Sequence, residues 1–293
     1  MKDKHENILE DTNFNSHLGV GGSSIGIFDS GYGGLTILNE IKKQLPEYDY
    51  IYLGDNARTP YGTRSFDVVY KYTLQCVTKL FEMGCQLVIL ACNTASAKAL
   101  RSIQQRDLPL IDPSRRVLGV IRPTVEVINT ITKSGHVGLL ATAGTVQSES
   151  YPLEIKKLYP QIKVSSEACP LWVPLIENNE HNGDGADFFV KKHLQNILFA
   201  DSQIDTIILG CTHYPLLIDK IKRFLPQNIQ VVSQGELVAN SLADYLKRHT
   251  EMADKCSKNG TINYFTTESV EKFASSASIF MNGIIEANHL ELD

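Results

Sequence analysis

Short apolar runs alternate with longer amphipathic stretches along this chain. Eight runs have the apolar, β-branched-rich composition of buried strands, and we predict strands at Ile25–Asp29, Tyr50–Gly54, Leu87–Ala91, Val117–Ile121, Val137–Ala141, Val164–Ala168, Ile207–Gly210 and Gln230–Val232. Helix-like stretches lie between them, for example at Leu35–Leu45, Phe66–Phe81 and Leu237–Arg248. Because strands that alternate with helices form doubly wound parallel sheets, we predict an α/β fold.

Eight strand–helix units are more than one ordinary sheet holds, so we predict two doubly wound parallel-sheet lobes related by pseudo-symmetry. The first lobe is expected to comprise residues 24–116 and 227–293, and the second, residues 117–226, is inserted into it. The polar, proline-containing segment Asp107–Arg116 marks the first limit. An active site is expected in the cleft between the lobes, where ligand sites are common.

Composition excludes several classes of protein. The net charge of −5 and the absence of a block of Lys and Arg argue against a nucleic acid or an anionic membrane as a partner. No apolar stretch is as long as a membrane span. Residues 1–23 are polar and lack the apolar centre of a signal peptide, which predicts a flexible extension and a cytoplasmic location. The six cysteines form no C-x-x-C pair, so reduced thiols are expected.

Two segments of the chain echo each other. Leu87–Ala97 and Thr206–Leu216 each consist of an apolar run, a small residue and a cysteine, followed by polar residues and a helix-like pattern. Each segment predicts a strand that carries a thiol, Cys92 or Cys211, at the sheet edge where ligands of α/β proteins bind. A helix N-terminus beside such a thiol is expected to lower its pKa.

The alternatives for these cysteines differ in chemistry. A single cysteine of this kind is by default a small buried hydrophobe, but two in matching contexts suggest two thiols facing one pocket. Two opposed acid/base groups of the same kind suit the inversion of a carbon centre. Zinc bound by Cys92, Cys211 and His213 is a weaker interpretation because the usual short ligand spacings are missing.

Four other strand ends carry polar or glycine-rich segments. These are Asp29–Gly34, Asp55–Gly62, Ala141–Thr145 and Cys169–Glu177. Taken alone, Asp29–Gly34 is equally explained as a turn in which Asp29 caps the helix, and Asp55–Gly62 is better explained as a surface turn. Thr145 is alternatively an N-cap, and Glu177, if buried, needs a partner, for which His213 is a candidate.

Taken together, these segments resemble the glutamate racemases of the aspartate/glutamate racemase family. The matching segments occur in family order between Ile25 and Ala239, and they are Ile27–Thr36, Asp55–Gly62, Ala91–Ala97, Ala141–Thr145, Ala168–Glu177 and Leu209–Leu217. The resemblance implies a cofactor-independent enzyme that interconverts L- and D-glutamate and supplies D-glutamate for peptidoglycan. It also implies a homodimer, with no metal and no cofactor.

The resemblance further implies roles for individual residues. Cys92 and Cys211 would be the two acid/base thiols, the first supported by Asp29 and the second by His213 with Glu177 behind it. The residues implied to hold the substrate's ammonium and carboxylate groups are Asp29, Ser30, Tyr61, Gly62, Asn93, Thr94, Thr142, Thr145, Thr212 and His213.

Three rival interpretations remain from the residues themselves. A racemase of the same fold that acts on aspartate has the same thiols, and only the resemblance favours glutamate. A protein that binds a small dicarboxylate without catalysis has no use for matched thiols. A thiol redox protein would form a reversible disulfide between Cys92 and Cys211.

Overall fold

The computed structural model describes residues 23–281, 283 and 285–292 of the chain. The predicted flexible extension therefore lies outside the described residues, except for Ser23. The described residues contain ten strands: β1 Ile25–Asp29, β2 Tyr50–Gly54, β3 Leu87–Leu90, β4 Arg116–Gly119, β5 His136–Ala141, β6 Lys163–Ala168, β7 Thr206–Gly210, β8 Gln230–Val232, β9 Ile262–Thr266 and β10 Ala287–His289.

Helices connect these strands. The α-helices are α1 Gly34–Gln44, α2 Phe66–Glu82, α3 Asn93–Lys98, α4 Leu100–Ser102, α5 Leu108–Ile111, α6 Ile121–Ile131, α7 Ala143–Gln147, α8 Ser150–Leu158, α9 Trp172–Glu177, α10 Asp184–Ala200, α11 Ile218–Phe224, α12 Gly235–Arg248, α13 Thr250–Ala253 and α14 Val270–Ala277. Short 3₁₀ helices span Tyr61–Thr63 and Tyr214–Leu217, and a π-helical stretch, Ile103–Asp107, joins α4 to α5. No helix among the described residues is long and apolar enough to cross a bilayer.

The strands form two parallel sheets, as predicted. The larger sheet has the order β10-β9-β2-β1-β3-β4, and the smaller one has the order β6-β5-β7-β8. All residues of β1, β2, β3 and β7 are buried, which explains why these strands consist largely of apolar residues.

The smaller sheet repeats the inner part of the larger one. The order β2-β1-β3-β4 becomes β6-β5-β7-β8 when each strand number is raised by four. In this correspondence β3, which precedes Cys92, matches β7, which precedes Cys211. The repeated order supports the predicted pseudo-symmetry of the two halves.

The strands and the lobe limits differ from the sequence prediction in several places. The predicted strand Val117–Ile121 ends at Gly119, and Ile121 begins α6. Strands β9 and β10 were not predicted; both lie at one edge of the larger sheet. The predicted lobe limits place most of β4 in the second lobe and β8 in the first, whereas the sheets assign these two strands the other way round. Strand β4 pairs with β3 in the larger sheet, and β8 pairs with β7 in the smaller one.

Candidate active site

A small cleft of about 90 Å³ lies where the carboxyl ends of the two sheets face each other. Most of the residues implied by the sequence line it, namely Ser30, Tyr61, Gly62, Cys92, Asn93, Thr94, Thr142, Cys211, Thr212 and His213. Asp29, Thr145 and Glu177 do not line the cleft and lie behind its wall. Both thiols therefore face one cavity, from equivalent strand ends.

Cys92 is the N-cap of helix α3. Its Sγ accepts a hydrogen bond from the backbone N–H of Ala95 at 3.4 Å and shares another with Ser30 Oγ at 3.3 Å. The pKa of Cys92 is nevertheless raised, to about 12, because burial and the charge of Asp29 outweigh these contacts. The expectation that the helix N-terminus lowers this pKa was wrong for Cys92, since desolvation is the larger effect.

Cys211 belongs to a chain of contacts with His213 and Glu177. His213 Nδ1 lies 3.9 Å from Cys211 Sγ, and His213 Nε2 lies 2.9 Å from Glu177 Oε1. Burial acts to lower the pKa of His213, but its contacts with Cys211 and Glu177 raise that pKa to about 10. His213 is therefore an imidazolium at neutral pH, and Nδ1–H is a donor aimed at the thiol.

Asp29 is a buried carboxyl at the end of β1. Its Oδ2 accepts from the backbone N–H of Gly31 at 2.9 Å, and its Oδ1 accepts from Thr212 Oγ1 at 3.5 Å. Burial raises its pKa above the usual range. Asp29 thus contacts the second sheet through Thr212 and acts on Cys92 through its charge.

Gly33 permits the two halves to approach closely beside the thiols. A Cβ atom at this position would lie 2.3 Å from Thr212 Oγ1 and 2.4 Å from His213 Nδ1. Any side chain here would push apart the segments that carry Asp29 and His213. The glycine at position 33 is therefore explained by packing against Thr212 and His213.

Three threonine hydroxyls meet across the two sheets. Thr94 Oγ1 lies 2.9 Å from Thr142 Oγ1 and 3.3 Å from Thr145 Oγ1, and the latter two are 3.1 Å apart. Thr142 is the N-cap of α7 and accepts from the backbone N–H of Thr145. Of the three, Thr94 and Thr142 line the cleft, so their rotatable hydroxyls can donate to an anion there.

The segment after β2 forms another wall of the cleft. Tyr61 donates a short hydrogen bond to Asp55, which also accepts from Arg58 Nε at 2.7 Å. Gly62 packs on Thr142, and a Cβ atom added at Gly62 would lie only 2.9 Å from the Cβ of Thr142. The phenol of Tyr61 is thus fixed by Asp55, and Gly62 brings bare backbone to the cleft.

Some cleft residues were missed by sequence reasoning. They are Thr59, Pro60, Thr63, Ala143, Pro170, Val173 and Pro174. All but Thr63 fall within segments that were singled out, so proximity to a predicted strand end was the available signal. Among the described residues no three His, Cys, Asp or Glu side chains are grouped to hold a metal, and all six cysteines are free.

Comparison with known proteins identifies the family. Residues 32–242 match the family model described as Asp/Glu/Hydantoin racemase. A glutamate racemase from Geobacter metallireducens is 39% identical over 261 residues, which are 89% of this chain and 93% of that protein. The crystal structure of a glutamate racemase isoform from Bacillus anthracis superposes with a TM-score of 0.84 at 36% identity, covering 92% of this chain and 98% of that one.

A second similar structure was solved with a bound ligand. Glutamate racemase from Francisella tularensis, in complex with D-glutamate, superposes with a TM-score of 0.82 at 32% identity. The match covers 93% of this chain and 98% of that chain. By sequence and by fold, this chain belongs to the Asp/Glu/hydantoin racemase family of isomerases.

Proposed function

We propose that this protein interconverts L- and D-glutamate without a cofactor, with Cys92 and Cys211 acting on opposite faces of the substrate's Cα. The observation that carries the proposal is the pair of thiols at equivalent strand ends, both lining one small cleft. The substrate assignment is supported by the relatives named glutamate racemase and by the relative solved with D-glutamate.

The reaction needs only a proton to be removed and another to be returned. One cysteine, as thiolate, takes the Cα proton, and the bonding electrons remain on Cα and spread into the α-carboxylate. The opposite thiol then gives its proton to the other face, which inverts the centre and leaves the two cysteines with exchanged protonation states. Each cysteine is thus the base for one enantiomer and the acid for the other.

The two thiols are prepared for this chemistry in different ways. The His213 imidazolium, held by Glu177, donates towards Cys211 and stabilises its thiolate. Cys92 rests as a thiol, since burial and the charge of Asp29 raise its pKa to about 12. The ammonium group of the bound substrate supplies a positive charge that offsets Asp29 and lowers the pKa of Cys92 on binding.

The cleft offers donors where negative charge develops. The hydroxyls of Thr94, Thr142 and Thr212 and the amide of Asn93 line it and can hold carboxylate oxygens. Among these donors, the fixed hydroxyls stabilise the extra charge on the α-carboxylate in the transition state. Thr145 and Glu177 act from behind the wall by orienting Thr94, Thr142 and His213.

The cellular assignments follow from the resemblance. We infer that the D-glutamate produced enters peptidoglycan synthesis in the cytoplasm, and that the protein is a homodimer of two-lobed subunits. A D-glutamate requirement for growth after depletion of the protein tests the first inference. The mass of the purified protein by light scattering tests the second.

Incubation of the purified protein with L-glutamate in D₂O, with no cofactor added, tests the activity. Loss of optical rotation together with deuterium at Cα is the expected result. Exchange with aspartate but not with glutamate would change the substrate. Tight binding of glutamate with no exchange would favour a binding protein and refute the proposed racemase.

A further inference from the structure

Asn93, the residue after Cys92, belongs to a closed ring of buried hydrogen bonds. Its Nδ2 donates to Gln234 Oε1 at 2.6 Å, Gln234 Nε2 donates to the Tyr151 hydroxyl at 2.6 Å, and that hydroxyl donates to Asn93 Oδ1 at 2.7 Å. Tyr151 is fully buried, and Asn93 and Gln234 are each 2% exposed. We propose that Gln234 and Tyr151 are positioning residues that fix Asn93 as a donor to a substrate carboxylate.

The orientation of the ring is set by one backbone carbonyl. Gln234 Nε2 lies 3.1 Å from Val120 O and 2.9 Å from Thr124 Oγ1, which itself donates to Val120 O at 3.2 Å. A carbonyl oxygen only accepts, so the Gln234 atom that faces it is the nitrogen. Gln234 Oε1 must then face Asn93, and the Asn93 atom that meets it must be Nδ2.

This orientation decides what Asn93 presents to the cleft. The ring uses Asn93 Oδ1 and the N–H that lies cis to it, because both point along the same edge of the amide. The second N–H of Nδ2, trans to the carbonyl, points away from the ring, and Asn93 lines the cleft. The group that meets Asn93 is therefore an acceptor, a carboxylate oxygen, and not the substrate's ammonium.

The ring also joins elements from both sheets. Asn93 begins α3 after β3 of the larger sheet, and Tyr151 lies in α8 after β5 of the smaller one. Gln234 immediately precedes α12, and Thr124 lies in α6. Burial raises the pKa of Tyr151, so its hydroxyl keeps the proton that it donates to Asn93.

Loss of the hydrogen-bonded ring should weaken substrate binding more than it slows the chemical step. Without the Tyr151 hydroxyl, Asn93 Oδ1 loses its donor and the amide is held by its bond to Gln234 alone, so its second N–H is no longer fixed towards the carboxylate. Such a contact holds the substrate and the transition state alike, so KM rises while kcat changes little. This inference rests on the proposed function, because it is glutamate that supplies the carboxylate.

Tyr151→Phe, with Tyr50→Phe as a matched control, tests the inference. Tyr50 is also fully buried, and its hydroxyl donates one hydrogen bond to Leu45 O at 2.7 Å, away from the cleft. We expect similar losses of Tm for the two variants. Tyr151→Phe should raise KM for both enantiomers about tenfold, with kcat within about twofold of wild type, whereas Tyr50→Phe should leave KM unchanged.

KM does not depend on the amount of folded enzyme, so partial unfolding of a variant does not obscure the result. Gln234→Leu removes the ring from its other side and should raise KM in the same way. The same KM in Tyr151→Phe and Tyr50→Phe would overturn the inference. The wild-type enzyme, measured first, decides the proposed function separately, since failure of that function appears as no racemisation before any substitution is made.

Discussion

Replacing Glu177 by glutamine tests how the imidazolium of His213 is maintained. Glu177 Oε1 lies 2.9 Å from His213 Nε2, and the pair is largely buried. The pKa of His213 rises from 6.5 to about 10 in the folded protein. At about 1.4 kcal/mol per pKa unit, this shift corresponds to roughly 5 kcal/mol of stability. Cys211 and Glu177 share the effect, so Glu177→Gln should lower the free energy of unfolding by roughly 2 kcal/mol.

The pH dependence of this loss identifies its cause. Since the pKa in the folded state lies above the unfolded value, the stabilisation is fully present below about pH 6.5 and is lost as the pH rises through about 10. Urea unfolding of wild type and Glu177→Gln should therefore differ by roughly 2 kcal/mol near pH 6 and by well under 1 kcal/mol near pH 10. Groups remote from Glu177 titrate alike in both proteins and cancel in the difference.

An equal difference between the two proteins at both pH values would refute this reasoning. It would mean that Glu177 stabilises the fold by packing or by neutral hydrogen bonds, and not by holding His213 protonated. A matching kinetic result is expected, because Glu177→Gln should lower kcat/KM at neutral pH if the imidazolium stabilises the Cys211 thiolate.

Two further substitutions test the walls of the cleft. Gly33→Ala places a Cβ 2.3 Å from Thr212 Oγ1 and should lower the free energy of unfolding by about 1–3 kcal/mol with loss of activity; unchanged unfolding and turnover would contradict the packing described. Thr142→Val removes the hydroxyl that contacts Thr94 at 2.9 Å and should lower kcat/KM about tenfold or more. Retention of wild-type kcat/KM, measured by circular dichroism at 25 °C, would exclude that hydroxyl from substrate binding.

The sequence predicts the buried strands better than the edge strands. Strand β1, Ile25–Asp29, is buried along its whole length, and its apolar run was sufficient to predict it. Strand β10, Ala287–His289, has three residues at a sheet edge and no apolar pattern, so nothing local indicates a strand. Strand β9, Ile262–Thr266, does contain strand-forming residues after Asn259 and Gly260, and this signal was overlooked.

The same contrast holds for the cleft. Parallel strands bring their carboxyl ends to one edge of a sheet, so the place of Cys92 and of Cys211 at the edge of its own sheet could be predicted from the strands alone. That the two edges face each other depends on how the two sheets pack. The ring around Asn93 could not, because Tyr151 and Gln234 lie 58 and 141 residues away in the chain. The raised pKa of Cys92 depends on burial by distant segments, which a local helix signal does not report.

The central claim is that two thiols act on opposite faces of Cα. The enantiomers have equal free energies, so kcat/KM must be the same in both directions for every variant, and racemisation rates do not assign the faces. Hydrogen exchange does. With Cys92 replaced, Cys211 can still remove the Cα proton of the one enantiomer that presents it, exchange that proton with solvent, and return deuterium with retention.

The decisive measurement is therefore deuterium incorporation from D₂O into L- and D-glutamate by Cys92→Ala and by Cys211→Ala, followed by NMR. The account predicts that neither variant racemises glutamate, and that each exchanges a different single enantiomer with retention of configuration. Exchange of both enantiomers by one variant, or racemisation at a near wild-type rate after loss of either thiol, would contradict it.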